Sequence, residues 1–163
     1  TLTYLSLIVI STVIIKYVDS LSVKYLFRGL YFCGLVNLVY GFLQYYKLDV
    51  VKWNNPYIPI IGTFGNPNFA SAFISFFVIF LFGKLIFFRK SKSEIYFLPL
   101  QIILGLFLIS KSQSRQGLIV FAIGISVLIL GFLYINKKFK LLTIFSMITI
   151  IVITLVTLGI LQR

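Results

Sequence analysis

The stretch "GTFGNPNFASAFISFFVIFLFGKLIFF", Gly62–Phe88, decides the fold. Its first seven residues hold two glycines, one proline and two asparagines, and the 20 residues after Asn68 carry a single charge, Lys84. An apolar run of roughly 20 residues is what an α-helix needs to cross the hydrocarbon core of a bilayer. The residues in front of it form a start signal. Asn66 is a good N-cap, because its side-chain oxygen can accept from the free N–H groups of the first turn. Pro67 suits the first helical position, where its missing N–H costs nothing. Gly62 and Gly65 allow backbone angles that other residues avoid. The stretch therefore predicts a turn, a cap and a membrane span, in that order.

The same apolar pattern recurs on both sides. Spans are expected at about 2–18, 26–46, 68–88, 95–112, 117–135 and 141–161, with an outer loop at 47–67 and a tight turn at 112–116. The chain is thus read as all-α: one transmembrane domain over 1–163, a polytopic helical bundle of about six spans. Composition points the same way. Of the 163 residues, 60% are hydrophobic and 11% charged, against about 25% charged in a soluble domain. No strict alternation of the kind a β-barrel strand shows is present. The chain opens on Thr1 with no signal-peptide pattern and is expected to be a fragment of a longer membrane protein.

The net charge is +12, from 15 basic and 3 acidic residues. The basic residues sit in or beside the short segments between apolar runs, which argues for a topology signal and contact with anionic lipid rather than for nucleic acid. Lys16, Lys24, Arg28, Lys84, Arg89, Lys90, Lys92, Lys137, Lys138 and Lys140 flank one set of loops, and Lys47, Lys52, Lys111, Arg115 and Arg163 the other. By the positive-inside rule the first set is cytoplasmic. The N-terminus, the loop 47–67 and the turn 112–116 are then outside. Tyr45, Tyr46, Trp53 and Tyr57 around the long outer loop suit the headgroup layer.

Several chemistries are excluded. The chain has no histidine and one cysteine, Cys33, so it offers neither the commonest metal ligand nor an internal disulfide, and no metal or cofactor is expected. Asp49 is the one carboxylate placed on the outer side, where a solvated partner for Lys47 or Lys52 is its ordinary role. Gly117, Gly124 and Gly131 lie seven apart, nearly on one helix face, which serves close helix packing or, alternatively, a substrate groove. Ser71 and Ser75 form a similar small pair.

Two outer features can hold an anion. A helix N-terminus presents free N–H groups and about half a positive charge. Asn66 and Asn68 stand at one such end. In "SKSQSRQGLIV", Ser110–Val120, Arg115 stands in the turn or at the start of the next span, with Ser110, Ser112 and Ser114 beside it. A guanidinium there either snorkels to lipid phosphate or grips a phosphate as a planar fork. The candidate pyrophosphate-binding residues are Arg115, Asn66, Asn68 and Ser114, and no catalytic residue is assigned.

Three motifs carry a resemblance. They are "LVYGFLQYYKLDV" (Leu38–Val50), "GTFGNPN" (Gly62–Asn68) and "SRQG" (Ser114–Gly117). In this order they resemble the O-antigen ligase and O-antigen polymerase superfamily of membrane proteins. Gln116 stands where that family often has a small residue after the arginine. The resemblance implies part of a GT-C-like membrane glycosyltransferase of the bacterial inner membrane. Such an enzyme moves a glycan from a polyprenyl-pyrophosphate carrier to a lipid A core, glycan or protein acceptor on the outer face, without a metal. The implied partners are that donor, its acceptor and membrane lipids. The family's key histidine belongs to a large outer loop downstream of the motifs, which this sequence does not contain. Two alternatives stay open: a solute transporter of bicarbonate-carrier type, and a non-catalytic membrane subunit.

Overall fold

A computed structural model describes residues 19–49, 60–88 and 91–157, together with positions 12, 16 and 51. Five helices run through the described residues: α1 (Ser20–Tyr45), α2 (Pro67–Phe87), α3 (Lys92–Lys111), α4 (Arg115–Ile135) and α5 (Phe139–Thr157). A single 3-10 turn, Gly62–Phe64, precedes α2. Among the described residues, four helices are long and apolar enough to cross a membrane: those within α1, α2, α3 and α4. The chain is an integral membrane protein on that ground. The expected span 2–18 lies outside the described residues apart from Thr12 and Lys16. The expected span 141–161 overlaps α5, which begins at Phe139.

Local chemistry sets the helix ends. α1 starts six residues before the expected span, because the Asp19 carboxylate accepts from the Ser22 N–H at 2.8 Å and caps the helix there. Lys24, expected just ahead of the span, therefore stands on the helix, as Arg28 does. α2 opens as the sequence predicts, with Asn66 as N-cap, Pro67 in the first turn and the Asn66 side chain accepting from the Asn68 N–H at 2.9 Å. α3 opens on a capping box in which Ser91 and Glu94 satisfy each other's backbone N–H groups.

α2 is the centre of the bundle and packs against α1, α3 and α4. Its residues Ile74, Phe77, Val78 and Leu81 are buried among Leu38 of α1 and Leu98, Ile102, Leu108 and Ile109 of α3. α1 and α3 come close because glycines face the bulk of α2. A Cβ built at Gly34 would stand 2.1 Å from the Phe77 ring, and one at Gly105 2.3 Å from Val78. Where lipid tails are as apolar as leucine, such close backbone approach is a main source of helix association.

The other face of α2 meets α4. Ser71 lies against Gly117, Ile79 against Gly124, Leu128 against Gly83, and the Phe87 and Phe132 rings lie 6.3 Å apart. Residue numbers rise together along this seam, so α2 and α4 run parallel, with α3 returning between them in the chain. The seam is tied by the buried Ser75 hydroxyl, which donates to the Gly117 carbonyl at 2.7 Å. Of the two roles open to the glycine face, packing holds at Gly117 and Gly124. At Gly131 an added Cβ would meet nothing within 4 Å, and an apolar groove of about 510 Å³ runs beside the seam from Val120 to Gly131. Leu118, Ile119, Ile123 and Val127 of α4 are exposed, a surface that a bilayer would cover.

Candidate functional site

The ends of α1 and α3 and the beginnings of α2 and α4 meet at one end of the bundle. A polar framework there begins on α1 with two carboxamides, Asn37 and Gln44, spaced seven residues apart and so on one face of the helix. Both are buried. A buried amide in a membrane helix must find partners, and these two find the backbone of the glycine-rich turn. Gln44 Oε1 accepts from the N–H groups of Ile61 at 3.0 Å and Gly62 at 2.9 Å, while Gln44 Nε2 donates to Asp49 at 3.0 Å. Asn37 Oδ1 accepts from the Thr63 hydroxyl at 2.8 Å and the Thr63 N–H at 3.3 Å, and Asn37 Nδ2 donates to the Cys33 carbonyl at 3.0 Å.

The turn itself explains its glycines. Gly62 has φ +59° and Gly65 φ +66°, the left-handed region that glycine enters at least cost. Gly62 is also confined: an added Cβ would stand 2.9 Å from the Ala70 Cβ and 3.4 Å from Asn37 Oδ1. The 3-10 turn is thus pressed between α1 and the first turn of α2.

Asp49 is held by α1 and by the chain that follows it. Its carboxylate accepts from the Tyr40 hydroxyl at 2.9 and 3.0 Å, from Gln44 and from the Val51 N–H at 2.9 Å. It is a half-buried brace between α1 and the loop that follows. Lys52 lies outside the described residues.

The four candidate anion-binding residues come to the same end. Asn66 caps α2, and Asn68 follows in its first turn. Ser114, buried, donates its hydroxyl to Asn68 Oδ1 at 2.8 Å. Arg115 is exposed and is the first residue of α4, which settles its place at the helix start rather than in the turn. The turn between α3 and α4 is only Ser112 to Ser114. It is made by Gln113 at φ +55° and by Ser112, whose hydroxyl donates to the Ile109 carbonyl at 2.7 Å and accepts from the Ser114 N–H at 3.3 Å.

Ser114 occupies the N-cap position of α4 but makes no side-chain cap. Its hydroxyl donates to Asn68 and accepts from no N–H of α4. Among the described residues, the N–H groups of the first turn of α4 therefore have no side-chain acceptor, and Arg115 stands beside them. In the same contact the oxygen of Asn68 is occupied, which leaves its NH₂ as the group on offer. Two parallel helix N-termini, an arginine and an amide donor thus share one end of the bundle.

Sequence reasoning did not assign a role to Asn37 and Gln44. Their signal was present as two carboxamides at heptad spacing in the apolar part of α1 that follows Arg28. No group of three or more metal-ligating side chains occurs among the described residues. Comparison with protein-family models, curated proteins and solved structures gave no match.

Proposed function

We propose that this chain forms part of a membrane glycosyltransferase of O-antigen ligase type, and that the paired helix N-termini hold the pyrophosphate of a polyprenyl-linked glycan donor on the outer face of the bacterial inner membrane. The observation that supports this most is the Ser114–Asn68 contact. It joins the start of α4, where Arg115 stands and no side chain caps the first turn, to the start of α2, where Asn66 and Asn68 stand. Free N–H groups at a helix start, with a guanidinium beside them, are suited to a doubly charged phosphate group.

The chemistry needs little more from this part of the protein. The acceptor hydroxyl oxygen forms a bond to the anomeric carbon, and the bond from that carbon to the pyrophosphate oxygen breaks. The electron pair leaves on the pyrophosphate. Stabilising that charge is the role of Arg115 and the helix ends, and holding the donor in line is the role of Asn66, Asn68 and Ser114. The acceptor proton goes to a base, and since the chain has no histidine, that base is not a histidine of this chain.

The test is transfer from a lipid-linked glycan by the full-length protein in proteoliposomes. Arg115→Ala is expected to lower the rate about 100-fold or more, the usual loss for one charge-stabilising donor. Arg115→Lys is expected to recover only a small part, because an ammonium lacks the planar fork. Normal transfer by Arg115→Ala would remove the proposed role.

A further inference from the structure

The opposite end of the bundle holds a second cavity, of about 650 Å³, between α1 and α2. On α1, Lys24, Phe27, Arg28 and Tyr31 follow the i, i+3, i+4, i+7 spacing of one helix face, and on α2, Phe80 and Lys84 face them. The walls are aromatic: the Phe27 and Phe80 rings lie 5.6 Å apart, and Lys84 Nζ lies 5.2 Å from the centre of the Tyr31 ring. Lys84 is neutralised by an ion pair with Glu94. Lys24 and Arg28 have no carboxylate partner among the described residues, and Arg28 only rests against the Tyr25 ring at 5.8 Å.

We propose that this cavity binds one anionic phospholipid, with its phosphate between Lys24 and Arg28 and an acyl chain along Phe27 and Phe80. The surplus of two positive charges after the Lys84–Glu94 pair selects an anion. The apolar walls select one that carries a hydrocarbon chain, because a free phosphate would leave those rings uncovered. Basic pockets between membrane helices recognise lipid phosphates in this way. The site lies at the far end from Asn66 and Arg115, so it does not depend on the donor proposed for that end.

Native mass spectrometry of the full-length protein in detergent tests this, with dioleoyl phosphatidylglycerol, dioleoyl phosphatidylcholine or inorganic phosphate added. Phosphatidylglycerol is expected to bind in preference to phosphatidylcholine. The double variant Lys24→Ala/Arg28→Ala is expected to lose about 25-fold in phosphatidylglycerol affinity, roughly fivefold for each basic residue removed. The charge-preserving pair Lys24→Arg/Arg28→Lys should retain most of it, which separates loss of binding from loss of folding. Lys137→Ala/Lys138→Ala, which removes the same charge elsewhere, should leave it unchanged. Equal affinity in the Lys24→Ala/Arg28→Ala variant, equal loss in the Lys137→Ala/Lys138→Ala variant, no preference over phosphatidylcholine, or inorganic phosphate competing the lipid off at equal concentration would each overturn the proposal.

Discussion

The Ser114 hydroxyl donates to Asn68 Oδ1 at 2.8 Å, joining the first turns of two parallel helices that lie 46 residues apart in the chain. A hydrogen bond of this kind contributes about 1 kcal/mol net. Ser114→Ala and Asn68→Ala should therefore each destabilise the protein modestly, and the double variant by less than the sum. The coupling expected from a double-mutant cycle, read by thermal or denaturant unfolding in detergent, is about 1 kcal/mol. Strict additivity would mean that the two side chains do not support each other.

Gln44 provides a sharper test, because one side chain serves three partners. Gln44→Leu leaves the N–H groups of Ile61 and Gly62 without their acceptor, at about 1–3 kcal/mol for each buried group. Gln44→Glu keeps an acceptor for both N–H groups but loses the donor to Asp49 and sets a second carboxylate against it. Both variants should unfold more readily than the parent, Gln44→Leu through two unpaired N–H groups and Gln44→Glu through repulsion between neighbouring carboxylates. Unfolding of the two variants in detergent measures this, and parent-like stability of either would mean that Gln44 does not hold the turn.

The two glycines of the turn look alike in sequence and differ in space. Both have positive φ, but Gly62 is buried against Ala70 and Asn37 while Gly65 is exposed. Asparagine tolerates the left-handed region better than most residues. Gly65→Asn should accordingly cost less than about 1 kcal/mol, a bound set by the small left-handed penalty for asparagine. Gly62→Asn should cost several times more, because its Cβ would meet the Ala70 Cβ at 2.9 Å. Yield of folded protein and unfolding temperature would show the difference; equal behaviour would mean that the turn is not pressed against α2.

These cases mark how far the sequence could be read. The Asn66–Pro67 cap and the apolar run behind it were legible, because capping and span length depend on neighbours in the chain. The four helices of the described bundle that suit a membrane followed from the same local rule. The start of α1 was missed by six residues, since a lone Asp19 ahead of a stretch containing Lys24 looks like a loop until its side chain is seen to cap. The Asp49 contacts, the partners of the two carboxamides and the Ser114–Asn68 bond could not be read. Each depends on which helices are neighbours, and apolar patterning states that a helix is in the membrane without stating what it faces.

The glycine seam shows this limit and gives the last test. Gly117, Gly124 and Gly131 are equivalent by spacing, yet a Cβ at Gly117 would stand 2.6 Å from the Ser71 Cβ and 3.1 Å from backbone, and one at Gly131 would meet nothing within 4 Å. Gly117→Ala must therefore push α4 away from α2 and strain the bond from Ser75 to the Gly117 carbonyl. A cost of about 1–3 kcal/mol is expected, as for overpacking elsewhere. Since Ser114 and Arg115 lie within one turn of Gly117, the same variant should also weaken the anion binding proposed for that end. Gly131→Ala fills open space and adds helix propensity, so it should be neutral or stabilising by up to about 1 kcal/mol. Unfolding of the two single variants measures this directly. Equal destabilisation would mean that α4 is packed as tightly at Gly131 as at Gly117.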